Sequence, residues 1–383
     1  MNINLKDLQK DLSANKVYDA WQYVESLLET LDYMELSYAL LGKVDQHQKD
    51  AIRQVNQETF EALKANPGKR ISITQTQLNR KNINVVGLEI GSGLFLRKTT
   101  LEFFHYARLC IDILSQIINA ALFGDDAFPI NTKNLPLLIT KRLKGMNALS
   151  KLHSLISGIL TNSELQYAMA FDNYVKHIRT VLVAIKNNLL FSQGADQFDI
   201  LPFVFRGTSY PATNAVQKAE KIKDEVLELV DQVLTEVQTQ LPQCQGTRNR
   251  YQLLKFIQRF NETEVGMQLQ YTSFFLEVDN SINDLSGEIS IMPLIVNPDG
   301  EIYHFVLDFD KVFITLRGQG EKGVCGIAEA VPLQDSNVLY RKFVVKAASA
   351  ADYAEYIATF LQKYTHIHLN YHALEGEIIT YKG

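Results

Sequence analysis

The stretch that most limits what this chain can fold into is LEFFHYARLCIDILSQIINAALF, Leu101 to Phe123. Its apolar residues run on too long for a strand, so it reads as a helix buried on most of its sides, with Gly124 as its stop. His105, Arg108 and Asp112 interrupt it at spacings of three and four, which places all three on one helical face. A buried polar group without a partner costs about 1–3 kcal/mol. The stripe must therefore meet complementary groups or open onto a cleft.

A second segment supplies such groups. FDNYVKHIRT, Phe171 to Thr180, gathers Asp172, Asn173, Lys176, His177 and Arg179 within about two turns of an otherwise amphipathic helix. Asn173 and His177, with Lys176 and Thr180 across the stripe, make one polar face, while Val175, Ile178 and Leu182 point elsewhere. Antiparallel packing brings the two polar stripes together. Two readings stand. In one, Arg108 pairs with Asp112, and His177 bonds Asn173 or a carbonyl, as a structural network. In the other, an imidazole that titrates near neutrality sits beside cations, the equipment for proton transfer on a phosphodiester.

At 383 residues the chain exceeds the size of one typical core, and two domains with an N-terminal elaboration are expected. Helical periodicity covers Leu5 to about Ala65 and stops at Asn66-Pro67-Gly68. Alternation then suggests short strands near Ile71–Ile73 and Ile83–Val85. Further helices are expected near 146–160, over 162–191 with Asn162 or Ser163 as N-cap, and over 214–241 up to Pro242. NRYQLLKFIQRFNETEVGM reads as one more helix. EISIMPLIVNPDGEIYHFVLDF reads as a hairpin around residues 297–300, with KVFITLRG as a third strand, Ala347–Tyr364 as a helix and EGEIITYK as a last strand. The expected class is mainly α with α+β. Residues 1–94 form a helical and short-stranded elaboration, 95–242 a helical bundle, and 243–383 an α+β domain on an antiparallel sheet.

The pairing of LEFFHYARLCIDILSQIIN with FDNYVKHIRT, followed by an apolar proline-containing link and another long amphipathic helix, resembles the HEPN superfamily over roughly residues 95–241. The resemblance implies a helical bundle, a homodimer, and a defence, toxin or RNA-metabolism setting. Active members are metal-independent ribonucleases that use an Arg and a His four to six residues later on one helix. Here the His would be His177, with Asn173 as its polar companion. The Arg position holds Asp172 or Phe171, so the cation would come from Arg108 or Arg179, and Lys176, Arg179 and His105 would contact phosphate or RNA. A carboxylate in place of a phosphate-binding cation repels the substrate. The same residues accordingly also fit a non-enzymatic, oligomerising or ligand-sensing protein that binds RNA, a nucleotide or a protein partner.

The formal charge of −5 gives no global attraction for nucleic acid or an anionic membrane, so any such contact needs a local basic patch. Cys110, Cys244 and Cys325 are far apart and read as isolated thiols. The start MNINLKDLQKDL lacks a signal-peptide pattern, and no apolar run approaches the ~18 residues of a membrane span. The expected location is cytoplasmic, with no membrane partner, metal or cofactor. Three lesser features complete the reading. His366, His368 and His372 in HIHLNYH have strand spacing for a metal but no completing ligand. Gly91 and Gly93 read as a glycine turn rather than a phosphate loop. Arg248, Arg250, Lys255 and Arg259, interleaved with Tyr251, Phe256 and Phe260, fit either a nucleic-acid surface or an exposed basic helix.

Overall fold

The computed structural model describes residues 3–15, 17–129, 132–180, 183–186, 197–243, 251–263, 268–269, 274–279, 287–296, 302–304, 311–332, 341–361 and 369–381. The fold is mainly helical with α+β content. It divides into two compact units, one of Met1–Gln9, Ala20–Leu122 and Lys133–Gln243, the other of Lys10–Asp19, Phe123–Thr132 and Cys244–Gly383.

The N-terminal periodicity becomes α1 (Leu5–Ala14) and α2 (Tyr18–Ala65). At 48 residues α2 is about 70 Å long. Val24, Leu27, Leu31, Met34, Leu41 and Val44 hold its buried stripe at spacings of three, four and seven. The helix ends before Asn66-Pro67-Gly68, as its stop residues require. Residues 71–73 form no strand. The next residues instead make α3 (Gln75–Asn79), whose capping box joins Thr74 and Gln77. The strands of this region are β1 (Asn82–Val85) and β2 (Leu88–Gly91), an antiparallel hairpin closed by Val86 and Gly87, both at positive φ.

The apolar segment is α4 (Ser92–Phe123), beginning nine residues before Leu101. Ser92 Oγ donates to Gln48 Oε1 at 2.8 Å and fixes the start of α4 on α2. Gly93 leaves room there for Ile185, whose Cδ1 would stand 2.8 Å from an added Cβ and would have to shift. By length and composition α4 meets the test for a membrane-crossing helix, and 61% of its most apolar window is buried inside the protein. Phe103, Phe104, Ala107, Ile111, Leu114, Ile117 and Ile118 are all fully buried.

Then come α5 (Leu135–Leu143), α6 (Ser150–Ile159) and α7 (Ser163–His177). Asn162 caps α7 by accepting from the Glu164 and Leu165 amides. The helix is shorter than the expected 162–191: it stops at His177, and β3 (Val183–Lys186) follows. Val183 and Ile185 in β3 are β-branched and suit extended backbone at the same apolar density that a helix shows. Four short strands follow: β4 (Gln197–Ile200), β5 (Phe203–Phe205), β6 (Thr208–Tyr210) and β7 (Thr213–Asn214). β3, β4 and β7 form one sheet and β5–β6 a separate hairpin. The last long helix of this unit, α8 (Ala215–Gln240), is capped by Asn214 and gives way to a 3-10 turn containing Pro242.

The second unit is built on β8 (Tyr251–Thr263), β9 (Gln268–Leu269), β10 (Phe274–Val278), β11 (Glu288–Val296), β12 (Ile302–His304), β13 (Lys311–Leu316), β14 (Val324–Ala330), β15 (Arg341–Ala347) and β16 (Leu369–Tyr381), with α9 (Ala350–Leu361) before the last strand. The segment expected as a further helix is β8. It pairs with β16 along thirteen residues, from Tyr251↔Tyr381 to Thr263↔Leu369, and this long-range partner overrides the ambiguous local pattern of YQLLKFIQRF. The expected hairpin appears as β11–β12, Val296 opposite Ile302; its turn residues lie outside the described ones.

Pairing proceeds β10-β13-β14-β15-β11-β16-β8 and returns from β8 to β10, so seven strands close on themselves. A ring of seven must contain an even number of antiparallel junctions, and β10–β13 is the parallel one. The expected third strand, β13, thus joins β10 and β14 rather than the β11–β12 hairpin. Its two faces are both buried: Val312 and Ile314 pack with Leu276, Val278 and Phe343, whereas Phe313 packs with Phe275 and Tyr353 of α9.

Candidate functional site

The polar residues of α4 and α7 do meet. Their centre is Asp172, a carboxylate whose side chain is only 5% exposed. His105 Nδ1 lies 3.1 Å from its Oδ1. Arg108 Nη1 donates to Oδ2 at 3.2 Å, and Lys176 Nζ stands 2.8 Å from the same oxygen. Arg108 also donates through Nε to Asp112 Oδ2 at 3.3 Å. With Asp172 as acceptor, the His105 Nδ1 carries a proton, and Nε2 is the edge left to solvent or ligand.

Local sequence explains this placement. Asp172 and Lys176 are one turn apart on α7, and Arg108 and Asp112 one turn apart on α4, so each helix carries its own ion pair. Arg108 links the two. Beside the polar seam, Phe104 and Phe171 approach to 4.2 Å between ring centroids, with Tyr167 5.8 Å from Phe104. With Asp172 only 5% exposed, its carboxylate is tolerable because three donors converge on it.

Two carboxylates, Asp112 and Asp172, thus face Arg108, Lys176 and His105. Burial raises the Asp112 carboxyl above its ordinary value, against the opposing pull of Arg108. Because 46% of the Asp112 side chain remains exposed, water screens that effect. Cys110, on the buried side of α4, has its thiol pushed up to about 12 by burial and is no nucleophile.

The other expected site residues lie apart from this hub. His177 is exposed at the last position of α7 and makes no hydrogen bond or ion pair among the described residues. Asn173 does not orient it, since its Nδ2 donates to the Met169 carbonyl at 2.8 Å. Arg179 turns to the aromatic side and donates through Nε to Tyr174 Oη at 2.9 Å. Thr180 is exposed beyond the helix. The residue that sequence reasoning undervalued is Asp172, taken as an intruder at the position of a phosphate-binding Arg. Its four-residue spacing to Lys176, next to the core residue Phe171, was the available signal.

Among the described residues no cluster of three His, Cys, Asp or Glu could hold a metal ion. His366 and His368 lie outside the described residues, and His372 is part of β16. Arg248 and Arg250 also lie outside, while Lys255 and Arg259 belong to β8. Gly91 ends β2 and Gly93 is the second residue of α4, so the two glycines flank the strand-to-helix junction. A cleft of about 400 Å³ is lined by residues of α6, α8 and the start of α7, including Asn162, Glu225 and Glu228, and by none of the seam residues. Comparison with known protein families, with characterised proteins and with solved structures finds no match for this chain.

Proposed function

We propose that this chain is a HEPN-like RNA-binding protein, ligand-sensing rather than catalytic, in which the Asp172 network holds the helices together. The observation that carries this reading is the saturation of Asp172. The buried carboxylate engages His105, Arg108 and Lys176, the same groups a phosphodiester would need. His177, meanwhile, has no partner among the described residues to set its tautomer or direction. What remains open toward a polyanion is the basic end of α7 beyond that network, with His177 and Arg179, which suits binding better than proton transfer.

A second reading has its own support. The His105–Asp172 contact orients an imidazole whose side chain is 43% exposed, the geometry of a proton-transfer pair, with Arg108 and Lys176 beside it. On that reading a metal-independent ribonuclease would use His105 rather than His177.

Purified protein, mixed with labelled tRNA and total RNA in chelator, separates the two. Binding seen by fluorescence anisotropy, with intact RNA on a denaturing gel, is the expected result. Discrete cleavage that disappears in His105→Ala, with the variant still folded, would establish the ribonuclease instead. Neither binding nor cleavage would remove RNA from the account.

A further inference from the structure

The hairpin β5–β6 is closed by a two-residue turn in which both Arg206 and Gly207 have positive φ, +49° and +81°. This is the geometry in which Gly, Asn or Asp is favoured at the first position. A residue with a long side chain there is strained, and such strain concentrates at sites that contact something. Arg206 is exposed, and its guanidinium lies 5.3 Å from the centroid of the neighbouring Phe205 ring.

The hairpin is firmly seated. Phe203 and Tyr210 are opposite one another and stack at 4.7 Å and 14°. Phe203 also touches Phe171 at 6.0 Å and Tyr174 at 5.2 Å on α7. The Tyr174 hydroxyl in turn accepts from Arg179. An unbroken chain of contacts therefore runs from the α7 cations to the hairpin and on to its tip. At the end of α7, next to Arg179, Ile178 is an exposed apolar side chain, 57%. Neither 173–180 nor 203–214 contains an Asp or Glu, in a chain whose net charge is −5.

We infer that the β5–β6 hairpin and the C-terminal end of α7 form a binding surface for single-stranded RNA, with Arg206 and Phe205 as a stacking platform for a base and His177 and Arg179 tracking the phosphates. The inference deepens the RNA-binding reading above and rests on it. Cations alone would accept any polyanion. The Arg206–Phe205 pair, with exposed Ile178 at the end of α7, offers flat and apolar contact that unstacked bases use and that a duplex or an acidic peptide does not.

The test uses the full chain, a fluorescent single-stranded RNA of about 12 nucleotides, a site length ordinary for such surfaces, its duplex form, and polyglutamate as competitor. Arg206→Gly is the informative variant, because it relieves the turn while removing the guanidinium. The melting temperature should hold or rise, and affinity for the single strand should fall about fivefold or more, the loss of roughly one stacked base. Wild type should prefer the single strand to the duplex, and polyglutamate should compete poorly. Unchanged RNA affinity in Arg206→Gly overturns the hairpin surface and leaves the RNA-binding reading standing. Equal binding of duplex, or full competition by polyglutamate, also overturns it. Absence of RNA binding by wild type removes both.

Discussion

Asp172 and His177 stand five residues apart on one helix and carry opposite kinds of chemistry. Asp172 is buried, and His105, Arg108 and Lys176 converge on it. His177 is exposed at the helix end with no hydrogen bond or ion pair among the described residues. The difference teaches that a charged group acquires its role from what surrounds it. A carboxylate that looks like an obstacle to phosphate binding becomes the element that ties α4 to α7, while the histidine that fits a catalytic motif by spacing has nothing among the described residues to orient it.

The largest expected effect follows from removing the enclosed member. Asp172→Ala leaves Arg108 short of one partner beside an aromatic core, and should cost about 3 kcal/mol, the lower end of values for breaking buried pairs. Urea unfolding measures this directly. A loss under about 1 kcal/mol would reduce Asp172 to the standing of an ordinary surface ion pair.

Asp112 sharpens the contrast, because it shares Arg108 yet is half open to water. Its carboxyl is raised in the folded chain above the ordinary 3.8, so the folded state keeps this proton where the unfolded state has lost it. This group's contribution to stability therefore falls as pH rises from the ordinary value through the raised one, and the deficit persists at neutral pH. Asp112→Asn should leave stability at pH 7 within about 1 kcal/mol of wild type, or raise it, and should flatten that part of the pH profile. A profile identical to wild type would show that Asp112 plays no part in it.

The smallest effect belongs to the exposed end. His177→Ala should change unfolding free energy by no more than about 0.5 kcal/mol, as for a surface substitution away from special features. A larger loss would place His177 inside the network, contrary to its exposure.

How much of this was legible beforehand depends on where the determinants lie. α8 was readable nearly to the residue, because Asn214 and Pro242 mark its ends and its apolar stripe is regular. α7 was readable at its start, through Asn162, but not at its end, where β-branched residues switch the backbone to a strand without changing the apolar count. β8 was misread as a helix because its identity is set by β16, more than a hundred residues later, and no local pattern contains that partner. In the site, the meeting of His105, Arg108 and Asp112 with the α7 stripe followed from spacing alone. Which α7 residue they would meet did not: Asn173 and His177 share a helical face, but the rotation of α7 against α4 turns Asp172 inward, and Phe171 packing on Phe104 sets that rotation.

The most direct test of the central claim, that Asp172 joins the two helices through Arg108, is a double-mutant cycle on unfolding free energy with Asp172→Ala, Arg108→Ala and the double variant. The two residues lie on different helices and touch at 3.2 Å. A favourable coupling of about 1–3 kcal/mol is expected for partners in one network. Additivity within about 0.3 kcal/mol would contradict the account, since it would mean that the contact at the heart of the seam does not hold α4 and α7 together.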